Sequence, residues 1–116
     1  MTAARTAPNA SASSLRSWAI GIYSGPAPYD LRPTPGVINP VLTRDHISDV
    51  PAVLVADPFM LQTGGAWHMF FEVMNARTAK GEIGVAVSHD TARWTYRGII
   101  LAERFHLSYP YWSSDR

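Results

Sequence analysis

Chemistry in this chain would fall to carboxylates, imidazoles and hydroxyls, because the sequence contains no cysteine. That absence removes disulfide scaffolds, Cys-ligated zinc, iron–sulfur clusters and thiol catalysis together. Two carboxylates stand apart from the rest by their surroundings. Asp57 precedes Pro58 after the apolar run Val53-Leu54-Val55, and Glu72 interrupts the apolar stretch Met69-Phe70-Phe71-Glu72-Val73-Met74. A charge inside such a stretch must lie at a rim or be satisfied by a partner, so Glu72 is expected to hold an ion pair or a backbone hydrogen bond. Asp57 has a structural role open to it as well, since Asp commonly accepts backbone N–H bonds at turns. A second cluster, His106, Ser108, Tyr109 and Tyr111, gathers imidazole, hydroxyl and aromatic groups within a few positions. Such groups can hydrogen-bond ligand hydroxyls and cover an apolar ring face, and they also serve as ordinary packing residues.

Other chemistries lack their residues. The histidines, His46, His68, His89 and His106, fall about twenty residues apart with no paired-ligand spacing, so no metal site is expected. No GxxxxGK[ST] or GxGxxG motif opens a helix after a strand, which removes phosphate-loop and dinucleotide sites, and no cofactor is implied. Ten Lys and Arg against nine Asp and Glu leave a formal net charge of +1, without the basic footprint that nucleic acid or an anionic membrane surface requires. At 47% hydrophobic and 16% charged the chain has the balance of a globular domain, and 116 residues hold one small domain or a piece of a larger one. Residues 1–16, rich in Ala, Ser and Thr, lack the apolar centre of a secretory signal and read as a disordered leader. No window approaches a membrane span, so the expectation is a soluble, cytoplasmic chain.

The elements that must position these groups read as β throughout. Trp18-Ala19-Ile20-Gly21-Ile22-Tyr23 alternates with the period of a strand. After it, Pro26, Pro28, Pro33 and Pro35 with Gly25 and Gly36 exclude helix and disfavour a central strand, so residues 17–51 are expected as a first strand and a Pro/Gly-rich loop. From residue 52 to 102 four runs follow: Pro58 to Gln62, Trp67 to Met74 after a Gly64-Gly65 turn, Glu82 to Ser88, and Trp94 to Leu101. In the third, Ile83, Val85 and Val87 face one way while Gly84, Ala86 and Ser88 face the other. Four short antiparallel strands in about 45 residues have the size of one β-propeller blade. A lone blade cannot cover both faces of its sheet, so remaining blades or another chain are expected to cover it, with 103–116 as the truncated start of a second blade.

Several of these segments, taken in order, carry a resemblance. Trp18 to Pro26, Asn39-Pro40-Val41-Leu42, Val55-Ala56-Asp57-Pro58-Phe59, Met69 to Asn75, Lys80-Gly81-Glu82-Ile83-Gly84 and Phe105-His106-Leu107-Ser108-Tyr109-Pro110 together resemble the N-terminal domain of glucosamine inositolphosphorylceramide transferases and their stand-alone bacterial relatives. The resemblance implies an all-β chain that is a fragment of a five-bladed β-propeller of the arabinanase, levansucrase and invertase type. It also implies a carbohydrate or glycolipid headgroup as partner. Ser88-His89-Asp90-Thr91-Ala92-Arg93-Trp94 is similar to the Ser-x-Asp…Trp hairpin turn of sialidase-like propellers, where Asp90 would tie down the turn and Trp94 would wedge between sheets.

Through that resemblance Asp57 matches the position at which glycoside hydrolase family 43 propellers keep a general base, and Glu72 gains a ligand role beside its structural one. His106 and Tyr109 would approach the same channel. The Pro-Asp that opens the second blade in those glycosidases reads Tyr109-Pro110-Tyr111 here, and the acid of the third blade lies outside this sequence. Glycoside hydrolysis needs two carboxyl groups, so the expected role is carbohydrate recognition, non-catalytic in these residues, with a family 43-like glycosidase or an inactive truncated product as alternatives.

Overall fold

A computed structural model of the chain describes residues 1–8, 18–27 and 29–102, which form two antiparallel sheets joined by an extended connection. The first sheet holds β1 (Thr2–Pro8), β2 (Trp18–Ala27) and β3 (Asp30–Pro33), with β2 in the middle. The second is a meander of β4 (Ala52–Thr63), β5 (Ala66–Asn75), β6 (Lys80–Ser88) and β7 (Thr95–Ala102), in that spatial order. A single 3-10 turn, Arg44–His46, interrupts the connection. The chain is all-β, and the four strands read from the sequence are those of the second sheet.

Local chemistry explains the tight links. Gly64 and Gly65 have φ of 57° and 80°, and a two-residue hairpin that needs positive φ at both central positions joins β4 to β5. At the β6–β7 turn Asp90 Oδ1 accepts from Ser88 Oγ (3.0 Å), Ala92 N (2.9 Å) and Arg93 N (3.0 Å), while Trp94 Nε1 donates to Thr91 O (2.8 Å). These bonds hold the Asp90 carboxyl below its ordinary range, those from Arg93 and Ala92 foremost. Trp94 packs against the core, as the Ser-x-Asp…Trp reading expects.

One face of the second sheet is buried. Val55, Met69, Phe71, Val73 and Ala86 pack on Ile20, Ile22, Val41, Leu42 and Ile47 from the first sheet and the connection. Asn39 helps seat that connection: its Oδ1 accepts from Ile22 N at 2.8 Å and its Nδ2 donates to Ile22 O at 3.1 Å, so a side-chain amide pairs with β2 as a strand would. The peptide bond from Asn39 to Pro40 is cis. The opposite face carries the cross-strand rows Phe59–Phe70–Val85 and Leu61–His68–Val87, and it is open to solvent where Phe59 is 39% and Leu61 47% exposed.

Two expectations are corrected. Thr2–Pro8, read as part of a disordered leader, is a strand whose seven residues pair with β2 from Thr2↔Ser24 to Pro8↔Trp18. Its Thr/Ala sequence has no apolar alternation to announce a strand; the backbone edge of β2 supplies the order. The Pro/Gly-rich segment does not end the first strand either, because β2 runs through Gly25 and Pro26 as a central strand. It does so by breaking the β2–β3 register between Ser24 and Ala27, where Pro26 needs no ladder bond. Gly25 is obligatory there, since a Cβ would fall 1.8 Å from Asp30 O.

Candidate functional site

The site begins with a register slip. On β4 the pairs Ala56↔Glu72 and Phe59↔Phe70 span one more residue than on β5, which makes Asp57-Pro58 a β-bulge. Asp57 takes φ of 51°, a left-handed conformation that Asp tolerates better than most residues but that still costs about 1 kcal/mol. Its N–H donates to Thr6 Oγ1 of β1 at 2.8 Å. Thus an exposed bulge on an edge strand is held by a hydroxyl fifty-one residues away in sequence.

Glu72 lies beside it on β5, in the row Ala56–Glu72–Ile83, and is 4% exposed. Asp57, next to the cross-strand partner Ala56 of Glu72, comes within hydrogen-bonding reach of the Glu72 carboxyl. Burial above all, then that contact and the negative charge of Asp57, push Glu72 up to about 7. Below about pH 7 the Glu72 carboxyl therefore keeps its proton in the fold. The exposed Asp57 carboxyl offers acceptor oxygens, the complement of a hydroxyl-bearing ligand.

A second polar cluster is structural. Asp49, in the connection before β4, accepts from Tyr96 Oη at 2.7 Å and from Ile99 N at 2.9 Å, and so ties the connection to the outer strand β7. Burial opposes ionisation of Asp49, but these bonds outweigh it and hold the carboxyl below its ordinary range. Burial and then the Asp49 contact drive the Tyr96 phenol far above its ordinary value. Asn75 Nδ2 donates to Glu82 Oε1 at 3.2 Å, which gives Glu82 a partner at its turn.

The two carboxylates singled out in the sequence are therefore in contact, whereas His106, Tyr109 and Tyr111 lie outside the described residues. Thr6 and Asp49 are the residues that sequence reasoning missed. Neither has a local signature, because each contact bridges about fifty positions and depends on sheet packing. Among the described residues no three His, Cys, Asp or Glu side chains gather to hold a metal ion, and no helix is long and apolar enough to cross a membrane.

A two-sheet, all-β chain with two neighbouring carboxyls, one on a strand bulge and one on the strand beside it, is the class that fold and site define. Residues 11–115 match the family described as glucosamine inositolphosphorylceramide transferase 1, N-terminal, and the chain belongs to that family. It is 42% identical over 110 residues to glucosamine inositolphosphorylceramide transferase 1 from Oryza sativa subsp. indica and, equally, from subsp. japonica; each alignment covers 82% of this chain and 15% of the rice protein. The Arabidopsis thaliana protein of the same name is 36% identical over 110 residues, covering 82% of this chain and 14% of its own length. The chain thus spans about one seventh of these relatives. No solved structure matches it.

Proposed function

We propose that the chain is part of a carbohydrate-recognition module of a glycolipid glycosyltransferase-related protein, built as the first blade of a five-bladed β-propeller and without hydrolytic activity of its own. What supports this reading is the placing of Asp57 beside a Glu72 that is only 4% exposed. A retaining glycosidase sets its two carboxyls about 5 Å apart and an inverting one about 6.5 to 9.5 Å apart, so that a glycosidic bond or a water fits between them. With Glu72 buried, the two carboxyls do not flank an open space for a glycosidic bond. Asp57 can instead receive hydroxyls, with His106 and Tyr109 as further contacts. Family membership supports a sugar-bearing headgroup as the ligand class, since the relatives are named for glucosamine inositolphosphorylceramide.

The family 43-like alternative draws on one observation, the left-handed Asp57 on an exposed bulge, because strained backbone is often stored at functional sites. In that reading Asp57 is the general base and its acid comes from outside this sequence. Glycan-array binding and aryl-glycoside turnover, compared between wild type and Asp57→Asn, separate the two. Recognition predicts binding that weakens by about tenfold, the loss of one charged hydrogen bond, without turnover in either protein. Turnover abolished by the substitution makes the protein a glycosidase, and silence in both assays leaves a scaffold or an inactive truncated product.

A further inference from the structure

β1 is the element least explained by the family. The match begins at residue 11, whereas β1 occupies Thr2–Pro8, so the hydroxyl that engages the carboxyl-pair bulge comes from outside the family's segment. The strand is held chiefly by its backbone ladder to β2 rather than by its side chains. Its side chains are small apart from Arg5, which lies over the Tyr23 ring at 5.5 Å, and Ala4 alone among them packs against the core cluster. The other edge of β2 keeps its own partners in β3 and in Leu42, which bridges to Ile20, so β2 does not depend on β1 for its place.

Where Thr6 sits matters more than how it is held. Its Oγ1 accepts the Asp57 N–H next to the neighbouring carboxyls of Asp57 and Glu72. A backbone donor beside a carboxyl pair is what a sugar or polyol hydroxyl would use, accepting from the N–H while donating to a carboxylate. We infer that β1 is a displaceable strap whose Thr6 hydroxyl holds the place of a ligand hydroxyl at the Asp57–Glu72 pair, so that β1 and a hydroxyl-rich ligand compete for one site. The ligand class rests on the carbohydrate-recognition reading; the strap does not. Because a ligand sees only the fraction of molecules with the site open, a strap closed nine-tenths of the time weakens apparent affinity by roughly tenfold.

Thr2 and Ser24 are paired across β1 and β2 with their hydroxyls 3.3 Å apart, which suits a cysteine pair in a chain that has no other cysteine. The test is the Thr2→Cys/Ser24→Cys protein, oxidised to lock β1 and reduced to free it, with Thr6→Val as a second variant that removes only the hydroxyl. Calorimetry with glucosamine and with inositol phosphate measures affinity, and hydrogen exchange of the Asp57 amide measures opening without any ligand. Expected are faster Asp57 exchange and several-fold tighter binding in the reduced form and in Thr6→Val than in the oxidised form. Equal exchange in locked and freed proteins overturns the strap, whether or not a probe binds. So does binding of equal strength in both. Faster exchange on release with no probe bound upholds the strap and refutes the carbohydrate reading instead.

Discussion

Glu72→Gln tests the carboxyl pair through the pH dependence of stability. In the fold the Glu72 carboxyl is raised from an ordinary value of 4.5 to about 7. Between those pH values the folded chain keeps a proton that the unfolded chain has released, so stability falls as pH rises through the window and levels off above about 7. Below the ordinary value both states are protonated and no penalty exists. At 1.36 kcal/mol per unit, the shift amounts to about 3 kcal/mol lost across the window. Glutamine carries no titrating proton, and its amide can still donate to the Asp57 carboxylate, so the variant lacks this slope. Urea melts at pH 4.5, 6 and 8 should show the wild type losing ground to Glu72→Gln by about 1 M or more in midpoint, given slopes of about 1 to 3 kcal/mol per M. Since burial is the larger cause of the raised value, Asp57→Asn should flatten the wild-type slope only in part. Wild type and Glu72→Gln that change in parallel from pH 4.5 to 8 would refute the raised Glu72 carboxyl.

Two further perturbations probe the frame around the site. Asp49→Asn weakens the acceptor of the Tyr96 hydroxyl and the Ile99 N–H; the Tyr96 phenol should then titrate closer to its ordinary value in an alkaline absorbance titration, with about 1 kcal/mol of stability lost, and an unmoved tyrosine titration contradicts the clasp. Gly25→Ala places a methyl group against the Asp30 carbonyl, and the overpacking should cost about 1 to 3 kcal/mol, read as a lower thermal midpoint; an unchanged midpoint would mean that β2 and β3 do not approach so closely.

How much of this was legible in the sequence depended on distance along the chain. The second sheet could be read because its signals are local: Ile83, Val85 and Val87 alternate, Gly64-Gly65 permits positive φ, and Ser88 with Asp90 closes a turn on neighbouring amides. β1 could not be read, since Thr-Ala-Ala-Arg-Thr-Ala-Pro has no hydrophobic period and is a strand only by virtue of β2. The passage of β2 through Gly25-Pro26 was hidden for the opposite reason, because breaker residues are compatible with a central strand once the register slips. At the site, both carboxylates were visible as outliers, but their contact follows from the bulge at Asp57-Pro58. Sequence alone does not set that register.

The bulge also links site and sheet energetically. A left-handed Asp57 costs about 1 kcal/mol, and a buried Glu72 costs more above neutrality, so neither is what selection for stability alone would leave on two strands that pair residues such as Phe59 with Phe70. Glu72 shares its face with the rows through Phe59, Phe70 and Val85, and through Leu61, His68 and Val87. A sheet laid over those rows would bury Phe59 and Leu61, which are 39% and 47% exposed, while adding little to the burial of Glu72, already 4% exposed. What such a covering would gain is the apolar area of those open rows, not a change in the titration of Glu72.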